Sequence, residues 1–128
     1  MRTYRLAAIA LLLAPAAGAP AGAQEPGLSG PSMQTLLDLA SALGEAHAIR
    51  TLCNGDGDQT WRVYMQNLMD LEAPGGSRKS QMTGAFNRGY RSQSSRRSEC
   101  TPELRQVEAE IASRGQALAD LAARSYLQ

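Results

Sequence analysis

Residues 32–55 read SMQTLLDLASALGEAHAIRTLCNG, and this stretch decides the fold class. Ser32 can cap a helix with its hydroxyl oxygen. From Met33 the apolar side recurs at helical spacing through Leu36, Leu37, Ala40, Leu43 and His47, with Ile49, Leu52 and Cys53 near the end. Asn54-Gly55 supplies the stop, because glycine adopts the backbone angles that close a helix C-terminus. The pattern predicts a helix over 33–53.

The same grammar repeats toward the C-terminus. Residues 54–58, NGDGD, form a turn in which Asp58 is placed to cap a second helix over 59–72. Its stripe is Trp61, Met65, Leu68 and Glu72, with Tyr64 and Met69 alongside. Pro74-Gly75-Gly76 ends it, and Ser77 can cap a third helix over 77–94. Met82, Ala85, Phe86, Gly89 and Tyr90 lie at i, i+3, i+4, i+7 and i+8 of that helix. Gln93 is the next position on the stripe, so the apolar face is expected to stop at Tyr90 and residues 92–98 to fray. Gly89 costs about 1 kcal/mol in a helix interior relative to alanine, which predicts a close helix crossing there. Thr101-Pro102-Glu103 opens a fourth helix over 102–126: Thr caps, Pro fits the first position, and Glu meets the positive end of the helix dipole. Its stripe is Leu104, Val107, Ile111, Leu118 and Leu121. No segment alternates apolar and polar over strand length. The expectation is an all-α, small four-helix domain over 32–128.

In front of that domain the sequence has an export signature. Arg2 and Arg5 precede the apolar run LAAIALLLA at 6–14, and Ala21-Gly22-Ala23 offers small residues before Gln24. This order is that of a signal peptide over 1–23, cleaved near Ala23, and the run is too short to anchor a chain in a bilayer. Residues 24–31, QEPGLSGP, read as a flexible lead-in. The absence of a twin Arg points to the general secretion route and hence to the periplasm. No later segment is long and apolar enough to span a membrane. In an exported chain the two cysteines, Cys53 and Cys100, read as a disulfide. Without Arg2 and Arg5 the chain holds 11 Lys and Arg against 12 Asp and Glu, a balance that argues against nucleic acid as a partner.

Few residues offer chemistry. Asn54, Asp56 and Asp58 alternate like the opening of a calcium loop. Gln59 and Met65, however, stand where the turn glycine and the bidentate Glu would be needed, so the reading is a polar turn. His47 is the sole histidine. It shares a face with Leu43 and Arg50, while Glu45 points elsewhere, so its own helix offers it no carboxylate. No serine sits in a nucleophile elbow. No metal set and no cofactor motif is expected. The third helix stands out, because residues 73–98 hold no acid and six bases: Arg78, Lys79, Arg88, Arg91, Arg96 and Arg97. Arg91 lies nearly opposite the Phe86–Tyr90 stripe, beside Asn87. The alternatives are an anion-binding face and a solvated face balanced by acids of neighbouring helices.

The strings Leu43-Gly44, His47, Arg50-Thr51-Leu52-Cys53, Trp61-Arg62, Glu72-Ala73-Pro74, Phe86-Asn87-Arg88-Gly89-Tyr90-Arg91 and Cys100-Thr101 resemble a family of small exported alphaproteobacterial proteins classed as a domain of unknown function. The resemblance spans roughly residues 36–125. It implies export and the same two cysteines, and it brings no activity. The resulting expectation is a non-enzymatic periplasmic protein that binds an anionic envelope component or a protein partner through Asn87, Arg88, Tyr90 and Arg91. The alternatives are an envelope hydrolase using His47 with a carboxylate from another helix, and a structural accessory subunit of an envelope complex.

Overall fold

A computed structural model describes residues 29–128. The expected signal peptide and residues 24–28 of the lead-in lie outside the described residues. The chain forms α1 (Met33–Asn54), α2 (Thr60–Glu72), α3 (Gly76–Ser94) and α4 (Pro102–Arg124), closed by a short 3-10 turn at Ser125–Leu127. Each helix begins and ends within about two residues of its expected bounds. Ser32 Oγ accepts from Thr35 N at 3.1 Å and Thr101 Oγ1 accepts from Leu104 N at 3.1 Å, as capping requires. Gly55, at φ 93°, ends α1.

Two expected caps act differently. Asp58 Oδ1 accepts from the Thr60 backbone N–H at 3.2 Å and the Thr60 hydroxyl at 2.7 Å, but the cap position itself is Gln59. Ser77 does not cap α3, because the helix already starts at Gly76, behind Gly75 and without a side-chain cap. Gly76 holds φ 68°, and the turn is completed by that permissive backbone rather than by a hydroxyl.

The main departure concerns α1. The sequence stripe suggests one buried face, yet α1 is the central helix, packed on α3, α4 and α2. Leu39, Ala42, Gly44, Ala46, Ala48 and Thr51 are buried beside the expected Leu36, Ala40, Leu43 and Ile49. Small residues make this possible, because they let three neighbours approach one axis. The α1–α3 crossing is the tightest contact. A Cβ on Gly89 would run into the Ser41 carbonyl, and a Cβ on Gly44 into the Phe86 carbonyl. The two glycines face opposite backbones in a reciprocal pair, as the cost of Gly89 in mid-helix had predicted for one side.

Side chains fill the space around this crossing. Leu36, Ile49 and Met82 are fully buried, each adding roughly 1.5–3 kcal/mol of transfer free energy. The expected end of α3's apolar face at Tyr90 is corrected. Gln93 is buried and donates from Nε2 to Glu45 at 3.3 Å, so the stripe continues with a polar member and the helix runs to Ser94. On α4, Leu121 is half exposed, while Glu108 and Gly115 occupy the buried face with Leu104 and Ile111.

Cys53 and Cys100 are disulfide-bonded, with Cα atoms 4.9 Å apart, tying the end of α1 to the entrance of α4. Closing a loop of 47 residues contributes about 4 kcal/mol in the chain-entropy model. Beside the bond, Glu108 Oε1 accepts from Arg50 Nε at 2.6 Å and from Trp61 Nε1 at 2.8 Å. Arg50 also lies 5.5 Å from the Trp61 ring centroid and 3.7 Å from Asp58. One buried carboxylate thus joins α1, α2 and α4.

Candidate functional site

The position of α2 creates the concave features of the molecule. It packs on α1, touches α3 sparsely and reaches α4 through the Trp61–Glu108 hydrogen bond. A gap therefore opens on each side of it.

The gap toward α4 is an apolar groove of about 430 Å³. Its floor is Leu39, Leu43 and Ala46 of α1, and its walls include Tyr64 and Leu68 of α2 and Ala112 and Gly115 of α4. Leu71, 80% exposed, stands at the rim.

The gap toward α3 is a mixed cleft of about 450 Å³. Its floor is His47 and Thr51 of α1 with Met65 of α2. Arg62, Gln66 and Met69 line the α2 wall, and Thr83, Phe86, Asn87 and Tyr90 line the α3 wall. The Thr83 hydroxyl, 3.4 Å from the Met69 sulfur, closes the end near the α2–α3 turn. Asp56 and Gln59 close the other end from the loop before α2.

His47 is the conspicuous member of this cleft. Its side chain is buried, its ring sits 5.7 Å from both the Phe86 and Tyr90 rings, and Nδ1 has no hydrogen-bond partner. Burial holds its pKa below the usual 6.5, and the Arg62 guanidinium adds to the effect, while Asp58 opposes it. His47 is therefore a neutral imidazole at pH 7. It shares the cleft with Asp56 but forms no hydrogen bond with a carboxylate among the described residues. The Asp58 carboxyl is drawn down to about 2 by Asn54 and Thr60, with Arg50 adding to it. That carboxylate is engaged by its own turn and is not aligned to serve His47 as a base's orienting partner.

The four residues singled out by sequence divide between two places. Asn87 and Tyr90 line the cleft with His47. Arg88 and Arg91 are exposed and outside it. Arg88 lies back along its own helix, with its guanidinium over Gly84. Arg91 occupies the last turn of α3, where a cation suits the negative end of the helix dipole. The ion pairs among the described residues join Arg50 to Asp58 and Glu108, and Arg114 to Glu45. None involves a cation of α3. Sequence reasoning missed Arg62, Gln66 and the groove on the other side of α2. Arg62, Met65, Gln66 and Met69 fall at i, i+3, i+4 and i+7, a stripe that would have marked a second face of α2 beside the apolar one.

Fold and site together define a small all-helical, disulfide-linked domain with two clefts along a loosely held helix. The family model "Protein of unknown function (DUF2385)" matches residues 31–126, and the chain belongs to that family. No curated protein and no solved structure matches the chain.

Proposed function

We propose that this is an exported, periplasmic binding protein that catalyses no reaction and takes an anionic component of the cell envelope on the outer face of α3. The observation that carries this reading is that none of the six α3-region cations forms an ion pair among the described residues, although acids of α1 and α4 do pair with Arg50 and Arg114. Cations without an ion pair remain available to carboxylate or phosphate, and an arginine fork binds either with two parallel hydrogen bonds. The disulfide supports an oxidising compartment. The hydrolase alternative is not favoured, because His47 is packed against the Phe86 and Tyr90 rings without an orienting carboxylate among the described residues.

The test is capture from envelope fractions by the parent and by Arg88→Ala/Arg91→Ala, after matching their melting curves. Capture by the parent should fall as the screening length shrinks from ~10 Å at ~0.1 M salt to ~3 Å at ~1 M, and the double variant should capture less at low salt. Equal capture at low salt would sink the reading.

The accessory-subunit alternative is favoured by one observation, the apolar groove between α2 and α4 with Tyr64 and Leu71 exposed at 59% and 80%. Its signature would be capture that resists salt and is lost in Leu71→Asp, since apolar contact is not screened.

A further inference from the structure

We infer that the cleft between α2 and α3, which neither Arg88 nor Arg91 lines, is a binding site for a small aromatic carboxylate. The inference does not depend on the outer face of α3.

The size fits, since about 450 Å³ lies within the range of small-molecule sites, roughly 300–1,000 Å³. The chemistry of the walls sets the ligand class. Phe86 and Tyr90 form an aromatic wall on α3, and the thioether of Met69 faces it across the cleft. Thioethers and ring edges both favour a planar aromatic body between them. The polar groups of the two walls suit an anion, with the Asp56 carboxylate at the end of the cleft. Arg62 on the α2 wall has no carboxylate partner among the described residues, and Asn87 opposite can donate from its amide. Arg62 is close enough to His47 to act on its charge.

The floor supplies a buried imidazole. His47 is more than nine-tenths buried with Nδ1 unpartnered. Nδ1 is sealed from solvent, so it is the remainder of the imidazole that the cleft presents to a ligand. A neutral imidazole can donate a hydrogen bond to a carboxylate without adding a second cation beside Arg62.

The chain has a single histidine, so its ring signals need no assignment. The experiment titrates the folded protein with N-acetyl-L-phenylalanine and phenylacetate, and with the corresponding amides, while following the His47 ring by NMR. The acids are expected to shift the His47 signals saturably, and the amides to bind about tenfold more weakly. Arg62→Gln should weaken the acids about tenfold and leave the amides unchanged. Arg88→Ala/Arg91→Ala should bind the acids like the parent, which separates this site from the outer face. Failure of every probe to move the His47 signals would overturn the inference, as would equal binding of acids and amides. Loss of acid binding in Arg88→Ala/Arg91→Ala would overturn it too, by placing the site on the other face.

Discussion

The α1–α3 crossing and the α2 helix are built on opposite principles. At the crossing, two glycines bring backbone against backbone, and Met82, Ala85 and Leu36 are sealed within it. In α2 only Met65 is buried, and Val63, Tyr64 and Leu71 remain exposed. Near-crystalline packing leaves no room for a ligand, whereas sparse packing leaves gaps along both sides of a helix. The comparison teaches where this domain keeps its stability and where it keeps its concave surface. Regions with few buried apolar contacts open at lower free energy than the core, so α2 is the element expected to move.

The largest effect should come from closing the crossing. Gly44→Ala/Gly89→Ala places two methyl groups where carbonyls of the facing helix stand, and backbone cannot step aside as a side chain can. Each overpacked site costs ~3 kcal/mol or more, so the double variant should lose its cooperative unfolding transition in circular dichroism. A transition like that of the parent would mean that the helices do not cross at these glycines.

Next comes the link that holds α2. Glu108→Ala removes the acceptor shared by Arg50 and Trp61 and should cost ~3 kcal/mol in urea unfolding, because it strands a partly buried cation. Hydrogen exchange should accelerate in α2 before α3. Uniform acceleration would erase the distinction between the two regions.

A smaller effect is set by pH. The folded pKa of His47 is depressed, so the unfolded chain binds its proton first as pH falls. The contribution is fully present above about pH 6.5 and is lost as pH falls through that value toward the folded pKa. His47→Gln should flatten the stability profile between pH 7.5 and 5.5, measured by chemical denaturation. Asp58 acts in a separate window, present above about 3.8 and lost as pH falls toward about 2. An unchanged slope in His47→Gln would show that the imidazole is not held neutral by the cleft.

The smallest effect has the opposite sign. Gly115 lies in the interior of α4 facing the apolar groove, and a Cβ there would meet Ala42 and Leu39 at an ordinary 3.9 Å. Gly115→Ala should stabilise the domain by about 0.5–1 kcal/mol, read as a rise in melting temperature. Destabilisation would mean that the groove is tighter than its walls indicate.

Much of this architecture was written locally. Capping hydroxyls, the Pro102 start, the Gly55 stop and i, i+3, i+4 stripes are short-range signals, and they specified four helices and their bounds, while the pairing of the two cysteines was read from their even number in a chain with an export signature. Gly89 was legible because a helix interior tolerates glycine only for a reason. What the sequence could not determine was partnership. Gly44 reads as ordinary until the Phe86 carbonyl is seen against it. Glu108 reads as one more carboxylate until Arg50 and Trp61, 58 and 47 residues away, converge on one of its oxygens. The same holds for the candidate site. Asn87 and Tyr90 could be chosen from one helix, but their separation from Arg88 and Arg91, and their meeting with His47 and Arg62, depend on how three helices rotate about their axes. Helical periodicity fixes which residues share a face. Only packing decides what that face meets, because contacts between distant segments are set by the fit of whole surfaces rather than by any local rule.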